Sequence, residues 1–356
     1  MTKRKLLLFV AVGLFILIAY LLFWPVAITP GSWSPPPAPG LTGQFQQNSK
    51  LSTTERLPIA GGFAPEDVAI DSQNRIYAGL DDGRIVRMQP DGSGIETFAD
   101  TQGRPLGFGF DAAGNLIVAD AIKGLLSVSP DGVVSVLTTA IDGSAFQCTN
   151  DLDIAADGTI YFTDASRKWP LTNYKADLIE HQPNGRLLSY NPNTKTTLLV
   201  LDNLHFANGV AVSPDQSFLL VCETGRYRLH RVWLNGPKKG STEVFIENLP
   251  GFPDGLSSNG RDLFWLALVT PRNALLDRLL PHPFLRKAVL RLPKSLQPAP
   301  TSYSFVLGLD AEGKVVENLQ DGSPNCFSQI ANALEHDGAL YFGTIGGAAV
   351  GRYRLR

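Results

Sequence analysis

Four oxygen-bearing side chains recur at the start of apolar segments: Glu66 in APEDVA, Asn150 in TNDLDI, Asn208 in ANGVAV and Asp254 in PDGLSS. Each alone carries little information, because Asn-Gly and Asp-Gly are also ordinary turn sequences. Together, two carboxylates and two amide oxygens form a donor set that suits a hard divalent cation of high coordination number, such as Ca²⁺. The four residues therefore predict a calcium site, provided that the fold brings them together.

The elements that must position these residues come from an internal repeat. Six segments share an apolar strand, a turn rich in Asp, Asn and Gly, and a second apolar strand: EDVAIDSQNRIYAGL, PLGFGFDAAGNLIVAD, NDLDIAADGTIYFTD, NGVAVSPDQSFLLVCET, DGLSSNGRDLFWLAL and NALEHDGALYFGT. Repeats of about 40–50 residues with three or four strands are typical of propeller blades. The sequence thus predicts an all-β fold, a six-bladed β-propeller, in preference to a β-sandwich whose segments resemble one another by chance.

Two intervals of the repeat are longer than the others and require insertions. Residues 167–181 extend the third blade, and residues 271–287 extend the fifth. The second insertion contains LLDRLL and PFLRKAVL, which predict short helices with apolar faces. Such helices could form a lid over the tunnel mouth, or a surface excursion or membrane-facing patch, and the sequence does not separate these alternatives.

In a propeller the first strand of each blade lines the central tunnel, so residues that open these strands converge near one end of the axis. The second strands run back to the same end, and their last residues are expected to rim the pocket: Asp81, Asp120, Asp164, Glu223, Thr270 and Thr344. Of these, Asp120, Asp164 and Glu223 are candidates for contacts with a substrate or with the ligands, although rim charges are often only solvated. His205 precedes the Asn208 strand and is a further candidate at the pocket mouth.

The N-terminus predicts a membrane anchor. Thr2-Lys3-Arg4-Lys5 precedes an uninterrupted apolar run, residues 6–24, which at about 1.5 Å per residue spans the hydrocarbon core of a bilayer. The alternative is a cleaved signal peptide, whose apolar region is normally shorter. We therefore expect an anchor over residues 1–29, a proline-rich linker over 30–50 and the propeller over 51–356. The basic flank predicts a single-pass protein with its propeller on the non-cytoplasmic side.

Composition excludes some partners. The formal net charge is −2 and no basic block is present, so nucleic acid is not an expected partner. Three cysteines, Cys148, Cys222 and Cys326, have neither zinc-site nor disulfide-framework spacing. One disulfide bond is possible, and the sequence does not identify the pair. The sequence contains no G-x-S-x-G element, which argues against a serine-triad hydrolase.

Several segments in order, GRPLGF, FTDAS, ANGVAVSPD, RVWLNGPKKG and LPGFPDGL, resemble the strictosidine synthase-like family. This family is similar to the calcium propellers that include senescence marker protein/gluconolactonase, paraoxonase and diisopropylfluorophosphatase. The resemblance covers roughly residue 57 to the C-terminus. It implies calcium ligands at Glu66, Asn150, Asn208 and Asp254, the same four positions that the repeat predicts.

The resemblance has two departures. Strictosidine synthase relies on a glutamate in its sixth blade, whereas CFSQIANALEHDG places Ser328 or Asn332 near that position, and Ser328 is retained as a rim candidate. Paraoxonases carry a catalytic histidine after an early second strand, whereas VAD here ends in Asp120. Alkaloid condensation and a paraoxonase-type histidine dyad are therefore not expected.

The resulting expectation is a membrane-anchored, calcium-dependent hydrolase of small esters or lactones, similar to arylesterases and lactonases. Ca²⁺ would act as a Lewis acid on the carbonyl oxygen of the substrate. Asp254 would act as general base or as nucleophile, and the sequence does not separate these roles. The alternatives are a non-catalytic binding propeller with a structural calcium ion and, less favoured, a strictosidine synthase-like condensing enzyme.

Overall fold

Six four-stranded antiparallel sheets surround a central axis in the computed structural model, which describes residues 2–59 and 61–355. The first strand, β1 (Glu55–Pro58), belongs to the last blade. Blade 1 consists of β2 (Val68–Ile70), β3 (Ile76–Gly79), β4 (Arg84–Met88) and β5 (Glu96–Asp100). Blade 2 consists of β6 (Pro105–Phe110), β7 (Leu116–Asp120), β8 (Gly124–Val128) and β9 (Val134–Thr138). A small hairpin follows, formed by β10 (Ala140–Ile141) and β11 (Ser144–Ala145).

The remaining blades repeat this order from the axis outward. Blade 3 consists of β12 (Thr149–Ile154), β13 (Ile160–Asp164), β14 (Gly185–Asn191) and β15 (Thr196–Leu204). Blade 4 consists of β16 (Ala207–Val212), β17 (Phe218–Glu223), β18 (Arg228–Trp233) and β19 (Thr242–Ile246). Blade 5 consists of β20 (Gly251–Ser258), β21 (Phe264–Pro271), β22 (Ser304–Leu309) and β23 (Val315–Asp321). Blade 6 consists of β24 (Ile330–His336), β25 (Ala339–Thr344), β26 (Ala349–Arg354) and β1. The predicted six-bladed propeller is confirmed.

The burial of each strand follows its distance from the axis. Every residue of β7, β17 and β25 is buried, because neighbouring blades cover both faces of these second strands. Continuous apolar runs such as FLLVC therefore suit second strands, whereas the outermost strand β9 contains exposed side chains. The hydrophobic core consequently lies between the blades, in several clusters distributed around the ring.

The ring is closed by strands from the two ends of the propeller sequence. In blade 6, β1 pairs with β26 from Glu55 opposite Arg352 to Pro58 opposite Ala349. Leu57, on β1, is 5% exposed and packs in the cluster between blades 6 and 1. Closure therefore combines backbone pairing with burial of an apolar side chain.

A single apolar helix, α1 (Lys3–Phe23), precedes the propeller. Over the described ranges it is the one helix long and apolar enough to cross a membrane, and none of its residues is buried. Its length and composition are consistent with a single-pass membrane anchor. The side of the membrane that carries the propeller stays a prediction from the basic flank.

The proline-rich segment after α1 is extended, as its composition indicates, but it packs onto the propeller. The ring of Trp33 stacks on His181, with centroids 4.7 Å apart. Further along, Phe45 is 5% exposed in a core cluster, and its carbonyl oxygen accepts a hydrogen bond of 3.1 Å from Gln320. The segment thus holds α1 in a defined position relative to the blades.

Both predicted insertions are present, and both contain helices. The first carries α2 (Tyr174–Glu180), and the second carries α3 (Ala274–Leu279) and α4 (Pro283–Arg291). The buried guanidinium of Arg286 joins them, since it donates to the carbonyl oxygens of Ile179 (2.7 Å) and Glu180 (3.2 Å). Short 3₁₀ turns complete the fold at Gly43–Phe45, Lys50–Thr53, Leu171–Asn173, Thr224–Arg226 and Lys294–Leu296. The three cysteines are buried free thiols.

We expect Leu57→Ala to lower the free energy of unfolding by about 2–5 kcal/mol, the range for truncating a buried leucine. The midpoint of urea denaturation measures this change, provided that the slope of the transition is unaltered. Val136→Ala, at a valine that is 62% exposed, is the control and should change stability by about 0.5 kcal/mol or less. Equal effects of the two substitutions would show that burial of Leu57 does not stabilise the closure.

Candidate functional site

The innermost strands of five blades lose regular pairing near their first residues, on the side where they enter the tunnel. The interruptions lie at Pro105/Gly107, Thr149/Leu152, Ala207/Val210, Pro253/Leu256 and Ile330/Ala333. Asn150, Asn208 and Asp254 all fall inside these interruptions. A bulge re-aims side chains that regular alternation would direct elsewhere, so the same irregularity positions a polar residue in successive blades.

Glycine follows two of these residues for a reason different from turn formation. A Cβ atom on Gly209 would lie 2.4 Å from the carbonyl oxygen of Asp254, and one on Gly255 would lie 2.4 Å from that of Ala331. Both glycines lie within innermost strands, not in hairpin turns. The Asn-Gly and Asp-Gly pairs therefore permit neighbouring blades to approach closely at the axis.

The structure brings the four predicted ligands together. Glu66, Asn150, Asn208 and Asp254 all line a cavity of about 310 Å³ and a narrow space of about 10 Å³ next to it. The exposed fraction is 5% for Asn150, 4% for Asn208 and 7% for Asp254, and the Glu66 side chain is 13% exposed. The four side chains thus form the floor of a cavity large enough for a small molecule.

Two of these side chains contact each other directly. The amide nitrogen of Asn208 donates to Oδ1 of Asp254 and to the hydroxyl of Thr224, the latter at 3.3 Å. The hydroxyl of Thr224 in turn donates to the carbonyl oxygen of Pro253 (2.6 Å). Both of these hydrogen bonds of the Asn208 side chain come from its amide nitrogen. The amide oxygen of Asn208 is therefore the atom available to a cation.

Burial controls the electrostatics of this floor. It raises the pKa of Asp254 well above the usual range, the negative charge of Glu66 adds to this effect, and the hydrogen bond from Asn208 opposes it. Burial also raises the pKa of Glu66, against the opposing charge and hydrogen bond of Arg104. Two enclosed carboxylates favour protonation unless a cation compensates them, so this floor is suited to bind positive charge.

Arg104 is a site residue that the sequence analysis did not identify. Its Nη2 donates to Oε2 of Glu66 (3.2 Å) and to the carbonyl oxygen of Ala64 (2.9 Å). Its Nη1 is buried in the cavity wall and makes no hydrogen bond to the described part of the chain. The sequence did carry a signal for Arg104, because in GRPLGF it lies at the entrance to an innermost strand, as the four ligands lie at or near such entrances. A cationic residue did not match the oxygen-donor pattern, however.

A second group of buried aspartates lies beside the ligands and was also missed. Asp67 accepts from the backbone N–H of Phe108 at 2.8 Å, and Asp151 accepts from that of Val210 at 3.0 Å. Each bond ties one blade to the innermost strand of the next, from Asp67 directly before β2 and from Asp151 on β12. Asn332 donates to Asp67 from blade 6. These carboxylates therefore hold neighbouring blades together around the narrow space.

Asp120, Asp164 and Glu223, the carboxylates that end second strands, are not among the residues that line the cavity, and neither is Asp81, which lies beyond the end of β3. Each of the three that end strands accepts backbone hydrogen bonds from the residues that precede the innermost strand of its own blade. Asp120 accepts from Arg104 (3.0 Å), Asp164 from Cys148 (2.9 Å) and Glu223 from His205 (3.0 Å). Their side chains turn towards the backbone because unpaired N–H groups at the strand entrance require acceptors.

Other rim candidates also lie away from the cavity surface. The ring of His205 contacts Glu223, with Nδ1 2.8 Å from Oε1, and Arg228 and His230 bind the same carboxylate. The carbonyl oxygen of Ser328 accepts from the hydroxyl of Thr344 (2.8 Å), and its side chain is not part of the cavity wall. Of the predicted second-strand ends, Thr270 lines the cavity.

The two insertions supply much of the cavity wall. From the first come Leu171, Tyr174, Lys175, Leu178 and Ile179, and from the second come Asn273, Leu276 and residues 298–301. Burial raises the pKa of Tyr174, and the charges of Asp254 and Glu66 raise it further. The phenol of Tyr174 therefore stays protonated and able to donate a hydrogen bond inside a largely apolar chamber.

The donor chemistry fits Ca²⁺ better than a transition metal. Within residues 2–59 and 61–355, no group of three or more His, Cys, Asp and Glu side chains is placed to hold a metal ion. The candidate site accordingly depends on the amide oxygens of Asn150 and Asn208 together with the two carboxylates. Oxygen donors of this mixed kind are those that Ca²⁺ uses in proteins.

Comparison with known proteins agrees with the fold and with the resemblance noted above. The strictosidine synthase family matches residues 150–237, and the N-terminal region of strictosidine synthase-like proteins matches residues 43–88. Among solved structures, a gluconolactonase from Xanthomonas campestris has a TM-score of 0.63 at 17% identity, covering 93% of this chain and 98% of that one. A calcium-binding protein, regucalcin from Agrobacterium tumefaciens, has a TM-score of 0.58 at 13% identity, covering 84% and 92%. These two likenesses concern the fold.

Full-length relatives are considerably more similar in sequence. The adipocyte plasma membrane-associated protein of Rattus norvegicus is 35% identical over 353 residues, covering 92% of this chain and 93% of the relative. Strictosidine synthase-like protein 13 of Arabidopsis thaliana is 37% identical over 325 residues, covering 82% and 78%. The matches extend through the propeller and its site. The chain therefore belongs to the strictosidine synthase-like family of six-bladed propellers.

Proposed function

We propose that this protein is a membrane-anchored, calcium-dependent hydrolase of small esters or lactones. The observation that carries the proposal is the floor of the cavity, where four oxygen donors from four blades meet beneath a chamber of about 310 Å³. A structural ion enclosed by protein would not need such a chamber. The fold likeness to a gluconolactonase and to a calcium-binding regucalcin is compatible with both parts of the proposal.

Glu66, Asn150, Asn208 and Asp254 would hold the calcium ion. When bound, the ion supplies Lewis-acid polarisation of a carbonyl oxygen and compensates the buried carboxylates. The remaining steps belong to side chains of the protein. Asn208 orients the carboxylate of Asp254 through Oδ1, and this carboxylate serves either as general base towards water or as nucleophile towards the carbonyl carbon.

The walls of the chamber define the class of substrate. Phe206, Phe252 and Leu276 present apolar surface on separate elements, which suits hydrophobic or aromatic acyl groups. Arg104 and Tyr174 provide hydrogen-bond donors near the floor. An ester or lactone with an apolar chain and one polar reacting group therefore matches the cavity.

The glutamate on which strictosidine synthase relies for its condensing reaction has no counterpart at the matching position in blade 6 of this chain. Asn332 lines the narrow space and donates its amide hydrogen to Asp67, and Ser328 lies away from the cavity. Neither an amide nor a serine hydroxyl replaces a glutamate as a general base. We therefore favour hydrolysis for this member of the family.

The direct test uses the full chain in lipid nanodiscs with phenyl acetate and a panel of lactones. We expect turnover that is lost with a calcium chelator and restored by added Ca²⁺. Failure to hydrolyse any ester or lactone in a broad panel, with calcium bound, would contradict the proposal and favour a binding propeller with a structural calcium ion.

Removal of calcium should destabilise the protein independently of catalysis. A ligand that binds the native state at a hundredfold excess over its Kd stabilises it by about 2.7 kcal/mol. The full chain is therefore expected to unfold at a lower temperature with chelator. Added Ca²⁺ should restore the original unfolding temperature more effectively than the same concentration of Mg²⁺. An unchanged unfolding temperature after verified metal removal would contradict the proposal that a calcium ion stabilises the protein.

Asp254→Asn should separate chemistry from metal binding. An amide oxygen can still coordinate Ca²⁺ but cannot act as a base or as a carboxylate nucleophile, so we expect kcat to fall by roughly 10²–10⁴. Glu66→Gln is the matched control, because it removes the same charge from the same floor. Its activity should follow calcium occupancy and recover at high Ca²⁺. Full recovery of both variants would show that Asp254 is only a ligand.

A further inference from the structure

The second insertion carries an exposed apolar surface beside the membrane helix. Its members are Leu275, Phe284, Leu285 and Leu296, and we call them the insertion surface. Their exposed fractions are 57%, 53%, 47% and 66%. Exposed apolar side chains concentrated in one segment, on two helices and a following turn, mark a candidate interaction surface.

The position of this surface is set by hydrogen bonds between α4 and the end of α1. The buried guanidinium of Arg291, the last residue of α4, donates to the carbonyl oxygens of Leu21 and Trp24, each at 2.6 Å. The hydroxyl of Tyr20 donates to the carbonyl oxygen of Arg291 (3.2 Å). These bonds satisfy carbonyl groups that a helix end leaves unpaired, and they fix α4 against the last turn of α1.

If α1 crosses a bilayer, its last turn lies at the level of the lipid headgroups, because the apolar run ends at Trp24. The adjoining α4 then lies at the same level. The segment is also basic: residues 272–296 contain six Arg and Lys and one acidic residue, Asp277. Among these, Arg278 and Lys294 are exposed. Apolar side chains flanked by exposed cations are typical of segments that lie in a membrane interface.

The same segment forms part of the wall of the cavity. Leu276 faces the chamber one residue after the exposed Leu275, and residues 298–301 line the chamber shortly after Leu296. The cavity end of the propeller and the insertion surface are therefore parts of one continuous structure.

We propose that the insertion surface is seated in the lipid bilayer beside α1, so that the cavity receives amphiphilic esters or lactones that partition into the membrane. The choice of substrate rests on the proposed hydrolase function, whereas the seating of the surface does not. A bilayer is the occupant because the surface is continuous with the helix that itself requires one.

The test attaches an environment-sensitive fluorophore to the cysteine introduced by Phe284→Cys in the full chain. The labelled protein is reconstituted in phosphatidylcholine/phosphatidylserine vesicles that contain nitroxide-labelled lipid as a quencher. The native cysteines are buried, which favours selective labelling. Ala112→Cys is the control, since it lies in the exposed hairpin between β6 and β7, at the opposite end of the innermost strand from the cavity. We expect strong lipid-borne quenching at position 284 and little at position 112, with the reverse for aqueous iodide.

Either of two results would overturn the seating. Iodide quenching at position 284 equal to that at position 112 would place the insertion surface in water. Protection from both quenchers would indicate that a second copy of the chain or another protein covers it.

A paired substitution then tests the link to substrate. Phe284→Asp with Leu285→Asp should abolish lipid quenching of a fluorophore at Leu296→Cys and lower kcat/KM for a long-chain ester in vesicles at least tenfold. Turnover of soluble phenyl acetate should be unchanged. Val133→Asp with Val136→Asp, at exposed valines in blade 2, is the matched control and should alter neither. An equal loss of turnover for both esters would contradict delivery of substrate from the membrane. Absence of turnover in the unsubstituted protein would refute the hydrolase proposal. The lipid quenching at position 284 would still show whether the insertion surface lies in the bilayer.

Discussion

The close approach of six blades at one axis is the constraint on which the rest of the structure depends. A Cβ atom on Gly343 would lie 1.9 Å from the carbonyl oxygen of Glu66, and one on Gly107 would lie 2.7 Å from the Cα atom of Asp151. Backbones this close leave no room for a side chain at these glycines. Asn150, Asn208 and Asp254 lie where strand pairing is interrupted, so three of the four candidate ligands sit at the contacts that assemble the ring.

These contacts also determine how charge is distributed. Carboxylates with a backbone N–H donor from the next blade, such as Asp67 and Asp151, stabilise the packing between blades. Glu66 and Asp254 instead face the chamber, where Arg104 offers one positive charge against their two. The difference separates carboxylates that serve the fold from carboxylates left for a ligand. The calcium ion that we propose would supply the positive charge that this site lacks.

Much of the architecture could be predicted from sequence, because each blade repeats its turn chemistry and strand lengths locally. Glu66, Asn150, Asn208 and Asp254 could be grouped because they occupy equivalent positions in that repeat. Contacts between blades were less accessible, since they join residues far apart in sequence. The ends of the second strands show the limit most clearly. Asp120, Asp164 and Glu223 end their strands as predicted, whereas Asp81 lies two residues beyond the end of β3. The backbone groups that bind the carboxylates of Asp120, Asp164 and Glu223 depend on atomic detail that a residue pattern does not contain.

Closure of the ring by β1 has a consequence for biosynthesis. Glu55 and Arg352 are 297 residues apart and form an ion pair across β1 and β26. Strand β1 is therefore synthesised long before its partner β26. Each hairpin can form as it emerges, but the outer edge of blade 6 stays open until β26 has been synthesised. An N-terminal helix already held in a membrane would keep β1 at one place during this interval and limit its encounters with the open edges of other chains.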